Sequence, residues 1–193
     1  MTRDVTLITF EGVRSRWATS EALHKRMREF GDFGEAHFIG ADCTYDEAMR
    51  WEVGRLSDFL KTSHALICTW DGFIANPHLW DDGWLEYDMI GAPWPAFWHT
   101  GHRVGNTGFS LQSKWFLETA RVLGVHYQGG PGDVWLCRTM HDRFVDRGIK
   151  YAPVDVASRF SWEHNTEEGI AGPLSSFGFH GWVAGKQPQH YYR

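Results

Sequence analysis

Apolar and polar positions in the first seventy residues alternate between a strand period and a helix period. Val5 and Leu7, flanked by Thr6 and Thr9, read as a first strand that ends near Phe10-Glu11-Gly12. A helix is expected from about Thr19 to Phe30, with Thr19 and Ser20 as its caps. Ala36 to Ile39 gives a short second strand. Thr44 and Glu47 have the spacing of a capping box, and Met49, Val53, Leu56 and Leu60 then recur at helical intervals. His64 to Thr69 is a third strand whose apolar residues are consecutive, the pattern of a central strand covered on both faces. The order βαβαβ predicts an α/β fold with a layered sheet. Ligands of such sheets sit beyond the carboxyl ends of the strands, and Trp70-Asp71-Gly72 lies at one of those ends.

The middle of the chain, 76–108, is turn-rich and tryptophan-rich with few helix signals. Within it Glu86 and Asp88 alternate along an expected strand and so share a face. Two further helices are predicted, Lys114 to Leu123 and Val134 to Arg147, and from Gly172 the chain reads as an aromatic loop. The 193 residues contain no repeat, low-complexity tract or linker, so one domain over 1–193 with its own core is expected.

Composition changes this picture in one respect. The 11 Trp and 13 Phe either build a dense core or line a cleft for sugars or bases. A net charge of −5 does not announce a nucleic-acid partner. Arg14, Arg16, Lys25, Arg26 and Arg28 form a local exception, read as a solvated helix face. Cys43, Cys68 and Cys137 are odd in number and far apart, which excludes a Cys-x-x-Cys site and implies no disulfide framework. The opening MTRDVTLITF lacks the apolar segment of a signal peptide, and no run reaches membrane-span length. A reducing, cytoplasmic setting is the expectation.

Several motifs fail on inspection. Gly-Asn-Thr-Gly at 105–108 and Gly-Gly-Pro-Gly at 129–132 lack the lysine and the strand–turn–helix context of phosphate-binding loops. His99-x-x-His102 has no companion cysteine or acid to complete a metal site. Neither a Gly-x-Ser-x-Gly elbow nor a deaminase signature occurs. What remains is a set of scattered acids and one late histidine. Asp71 ends a buried strand, Asp81-Asp82-Gly83 reads as a surface turn, and Asp133 stands where a helix begins and could simply cap it. His180 sits in Phe177-Gly178-Phe179-His180-Gly181, a loop too glycine-rich for ordinary core packing.

Six segments in order are more specific than any one of them: WDGF, N-P-x-x-W-D-D, LEYDMIGAPWP, RVGNTGFSLQSK, GIKYAPVDVASRFSWE and FGFHG. Their succession resembles the DUF5672 family of bacteria and phages, whose members are similar to GT-A glycosyltransferases. The resemblance runs from about Val5 to Gly181. It implies a GT-A-like, Rossmann-type mixed sheet flanked by helices in a single domain, with the tail over 172–193 closing the site.

The resemblance also implies a reaction, transfer of a sugar from a nucleotide-diphosphate donor (a UDP-sugar favoured) to a hydroxyl acceptor. The divalent ion, Mn²⁺ or Mg²⁺, would be held by Asp71 and His180, since Phe73 replaces the second acid of the usual Asp-x-Asp. Donor-binding residues would be Thr9, Phe10, Glu11, Trp70, Asp71, Arg103, Gly105, Asn106, Thr107 and Gly108, with Thr107 where relatives more often have glycine. Asp133 resembles the base of inverting members, although Gly132 replaces the glutamate that usually precedes it. Glu86, Asp88 and Trp94 are expected on the acceptor side. The acceptor is a glycan or lipopolysaccharide on one reading and a hydroxymethylated base in phage DNA on another. A third reading is a catalytically inactive sugar-binding module of the same fold.

Overall fold

The computed structural model describes residues 3–98, 101–164 and 175–181. The strands and helices in chain order are β1 (Val5–Glu11), α1 (Trp17–Arg28), β2 (Glu35–Gly40), α2 (Tyr45–Arg55), β3 (His64–Cys68), β4 (Gly72–Ile74), β5 (Met89–Gly91), β6 (Phe109–Ser113), α3 (Lys114–Leu123), α4 (Gly132–Val134), α5 (His141–Val145), α6 (Val154–Phe160), β7 (Ser161–Trp162) and β8 (Gly178–His180). Five strands form a mixed sheet in the order β2-β1-β3-β6-β5, and β4, β8 and β7 form a second, three-stranded sheet. Strands β1, β2 and β3 are parallel, whereas β6 runs against β3 and pairs Phe109 with Cys68. The loop entering β6 therefore lies at the same edge as the carboxyl ends of β1 and β3.

Side-chain parity assigns the two faces. On β3, Leu66 and Cys68 join a core with Leu23 and Met27 of α1 and with Ala157 and Phe160 of α6. Ala65 and Ile67 join the opposite core with Val53 of α2 and Phe116, Leu117 and Ala120 of α3. Every residue of β3 is buried, which accounts for its unbroken apolar run. The capping box forms as the sequence requires: the Glu47 amide donates to Thr44 Oγ1, and the Thr44 amide donates to Glu47 Oε2 at 2.8 Å.

Several boundaries differ from the sequence expectation. Helix α1 starts at Trp17, led in by a 3-10 turn over Arg14–Arg16, so neither Thr19 nor Ser20 caps it. The Ser20 hydroxyl instead donates to Glu11 Oε2. The expected helix from Val134 to Arg147 is broken into α4, a wide π turn over Trp135–Thr139, and α5. Glu86 ends a 3-10 turn over Asp82–Glu86 and β5 begins only at Met89, so Glu86 and Asp88 do not alternate along a strand. Asp81 caps that turn through the Gly83 amide, as a surface turn requires. The segment 175–181 contains β8 rather than loop alone; the rest of the expected closing tail, and His99, lie outside the described residues. Cys43, Cys68 and Cys137 form no disulfide. Among the described residues no helix is long and apolar enough to cross a membrane.

One buried pair makes stability depend on pH. His24 of α1 is buried, and its Nδ1 meets Thr9 Oγ1 of β1 at 2.9 Å. Burial, helped by the Arg28 charge, lowers its pKa from 6.5 to about 4. The unfolded chain therefore takes up a proton before the folded one does. The stabilisation is complete above pH 6.5 and is lost as pH falls from there through about 4. The expected loss is about 2–3 kcal/mol. Urea denaturation of His24→Gln at about pH 7 and about pH 4.5 should show a smaller difference than the wild type by roughly this amount. Equal pH dependence in the two proteins would contradict the assignment.

Candidate active site

At the edge where β1 and β3 end and β6 begins, a cleft of about 350 Å³ opens. Phe10 and Glu11 come from the end of β1, Trp70 and Asp71 from the turn after β3, and Asn106, Thr107 and Gly108 from the loop before β6. Glu52 of α2, Asp133 of α4 and His180 of β8 complete its polar lining. Residues far apart in sequence meet here because β8 pairs with β4, setting His180 opposite Gly72.

His180 is the hub of the polar groups. Its Nε2 lies 3.7 Å from Asp71 Oδ1, and its Nδ1 lies 2.8 Å from Asn106 Nδ2 and 3.3 Å from Glu163 Oε1. Asn106 Nδ2 also donates to Glu163 Oε2, while Asn106 Oδ1 accepts the Gly108 amide at 3.1 Å. These contacts hold Asn106 at φ 64°, a left-handed conformation that asparagine tolerates better than most residues. Asp71 is held separately, since Thr69 Oγ1 donates to its Oδ1 and the Gly181 amide donates to its backbone oxygen. The approach of the two chain segments is close enough that a side chain at Gly72 would overlap the Gly108 carbonyl, and one at Gly108 would overlap the His180 ring.

The charges shift in a consistent pattern. Burial pulls the His180 imidazole down, but the Glu163 hydrogen bond and the charges of Glu163, Asp71 and Asp133 outweigh it and leave its pKa raised. Burial pushes Glu163 up, yet the hydrogen bond and charge of His180, with His164 and Asn106, leave its pKa lowered. Asp133 has its pKa raised, chiefly by burial and further by Glu163, against the opposing bond from the Val134 amide. Burial also raises Glu52, to about 7, although a Thr107 hydrogen bond works the other way. Carboxyl groups pushed apart in this way inside a cleft are a recurrent feature of functional sites.

The structure sorts the expected site residues. Phe10, Glu11, Trp70, Asp71, Asn106, Thr107, Gly108, Asp133 and His180 all reach the cleft. Thr9 does not, because its parity turns it toward α1, where its hydroxyl is bonded to His24. Glu11 lines the cleft, but its carboxylate is committed to the Val13 amide and to Ser20. Gly105 lies against the Trp94 ring, which packs there, 5% exposed and beneath Arg138. Trp94 is thus a packing residue, and neither it nor Gly105 nor Arg103 lines the cleft. Asp88 and Glu86 are at the opposite end of the sheet. Asp88 Oδ2 accepts the Lys150 amide at 2.9 Å and its Oδ1 accepts from Ser113, so it brackets the far end of β6 rather than an acceptor.

Three residues enter that the sequence reading left without a role. Glu163 ends the GIKYAPVDVASRFSWE segment, and Glu52 follows Met49 by three positions on α2; neither had a motif of its own. Arg16, counted among a solvated charge run, places its guanidinium 4.3 Å from the Trp70 ring and lines the cleft. Among the described residues no group of three or more His, Cys, Asp or Glu side chains is arranged to hold a metal ion.

Comparison with known proteins places this architecture. A crystal structure of a glycosyltransferase involved in the glycosylation of the major capsid of PBCV-1 is similar to the chain, with a TM-score of 0.59 at 13% identity over 95% of this chain and 94% of that one. A protein from STIV aligns at a TM-score of 0.45 and 12% identity, covering 76% of this chain and 79% of the other. The fold is therefore glycosyltransferase-like. No curated protein sequence matches the chain. The match to the family described as a protein of unknown function, DUF5672, spans residues 54–180, and with more than half of its length so covered the chain belongs to that family.

Proposed function

We propose that the protein is a glycosyltransferase that moves a sugar from a nucleotide-diphosphate donor, a UDP-sugar for preference, to a hydroxyl acceptor. The observation that carries this reading is the meeting of Asp71, Asp133 and His180 in one cleft of a glycosyltransferase-like fold, at the strand ends where such sheets bind ligands. Phe10 and Trp70 offer apolar surface for a nucleotide, and Arg16 adds a positive charge at the same wall.

The donor set fits a divalent cation that completes its shell from the ligand. Asp71 Oδ1 and His180 Nε2 face each other at 3.7 Å, a separation two ligands of one small ion can span with little movement. His180 Nδ1 is held by Glu163, the outer contact that orients a metal-binding imidazole and fixes its tautomer. With only two such side chains, donor oxygens and water would supply the remaining positions. Bound there, Mn²⁺ or Mg²⁺ would offset the negative charge that grows on the departing diphosphate.

Asp133 would accept the proton of the acceptor hydroxyl as its oxygen bonds to the anomeric carbon. The bond from that carbon to the diphosphate oxygen breaks, and its electron pair leaves with the diphosphate. The raised pKa of Asp133 suits a base better than that of an ordinary exposed aspartate. Attack from the face opposite the leaving group inverts the anomeric centre.

A glycan acceptor is favoured over DNA. Arg14 and Arg26 lie over the Trp17 and Phe30 rings, each at 5.9 Å, and Lys25 is paired with Glu21 at 3.0 Å. The charge run thus presents less free cation than its sequence suggests. The similar viral enzyme, which takes part in glycosylation of a capsid protein, supports the same preference. A sugar-binding module without turnover is the second reading, favoured by Asp71 standing without a second acid at position 73. Hydrolysis of UDP-sugars that depends on added Mn²⁺ would exclude it.

Calorimetric titration of Mn²⁺ with UDP tests the cation seat without reference to turnover. Asp71→Asn and His180→Ala should each lose most of the affinity while melting near the wild type, and Glu163→Gln should weaken it by about 10–100-fold. Unchanged affinity in Asp71→Asn and His180→Ala would remove the site. Asp133→Asn keeps an oxygen for the Val134 amide but cannot take a proton. It should melt and bind donor as the wild type does, with sugar transfer slower by roughly 10²-fold or more. Transfer at the normal rate would reduce Asp133 to a helix-terminus contact.

A further inference from the structure

Glu52 is not used by the reaction above, yet it holds the one carboxyl oxygen of the cleft that its surroundings leave incomplete. It projects from α2 one turn beyond Ala48 and Met49, which line the same wall. Its Oε1 is shielded from solvent and has no hydrogen-bond partner. The side chain is engaged by Thr107, and the nearest oxygen to Gly132 is Oε2, against which even a side chain at that position would only rest. Aliphatic or amide side chains would fill this place at lower cost, because an unpaired buried acceptor loses its hydration and recovers nothing. Such a group in a native protein calls for a reason.

The reason lies on the cleft side. No protein group completes Oε1, so its partner has to be a donor brought in by what fills the cleft. Asp133, whose charge Glu52 feels, would take its proton from the acceptor, which places the reacting carbon of the donor beside both carboxyl groups. We infer that Glu52 is a specificity-determining residue that receives a hydroxyl of the transferred sugar. This inference rests on the glycosyltransferase reading and assigns the sugar subsite within it. Thr107 steadies the carboxyl for that hydroxyl, and it stands where relatives more often carry glycine. The sugar's nucleotide lies elsewhere, toward Phe10, Arg16 and Trp70.

The inference predicts opposite signs for stability and binding. Glu52→Gln and Glu52→Met should melt at higher temperature than the wild type, since each removes a buried carboxyl without full pairing. Titrated in the presence of Mn²⁺, UDP should bind the wild type and both variants alike. UDP-glucose, UDP-galactose and UDP-N-acetylglucosamine would then be compared with UDP. The sugar that binds the wild type most tightly relative to UDP should lose that advantage, by about tenfold, in both variants. Lower melting temperatures would make Glu52 a structural residue and overturn the inference, as would an undiminished sugar preference. Failure of the wild type to bind UDP at all would instead overturn the glycosyltransferase reading, and the sugar subsite with it.

Discussion

The side-chain amide of Asn106 ties the cleft together. Its oxygen closes the turn onto the Gly108 amide, and its nitrogen reaches both Glu163 and His180. Three segments of chain, the loop before β6, the end of β7 and the end of β8, are thereby fixed to one point. An amide suits this position because it can accept on one side and donate on the other, which neither aspartate nor a hydroxyl does as well. The left-handed backbone at Asn106 is the cost of that arrangement, and the hydrogen bonds it permits offset it. Without the tie, the imidazole would have no fixed direction in which to face Asp71.

The parallel half of the molecule was legible in the sequence because short-range signals agree there. Residues 44–47 hold a capping box, and the run from His64 carries the unbroken apolarity of a doubly covered strand; both formed where expected. The site was legible only in part. Asp71 could be placed because it ends a strand, and Asp133 and His180 through resemblance to a family. Thr9 and Glu11 show what proximity in sequence leaves out. They share the parity of Val5 and Leu7, so their polar atoms turn toward α1 and are consumed there.

Glu163 and Glu52 were illegible for a different reason. Each acquires its role from a contact that spans a long stretch of chain, and a lone glutamate in a strand end or a helix carries no local mark of such a contact. Glu86 and Asp88 mislead in the reverse sense: an alternating pair of acids looked like one functional face. The chain instead enters a 3-10 turn before β5, and Asp88 serves the backbone at the end of the sheet remote from the cleft. The antiparallel direction of β6 explains the whole layout, since it brings the Gly105–Gly108 loop to the parallel strands' carboxyl edge and takes Ser113 away from it.

The π turn over Trp135–Thr139 bears on how this chain can vary. Such a turn accommodates one residue more than the α-helix it interrupts. Deleting a residue there would let an unbroken helix form from α4 into α5, at a rotation of about 100° per residue. With α5 anchored by the buried Phe144, the rotation would fall on α4 and swing Asp133 away from the cleft wall. The irregular turn therefore acts as an angular spacer, and a length change of one residue in this segment would alter the direction of a carboxylate without touching any residue of the cleft.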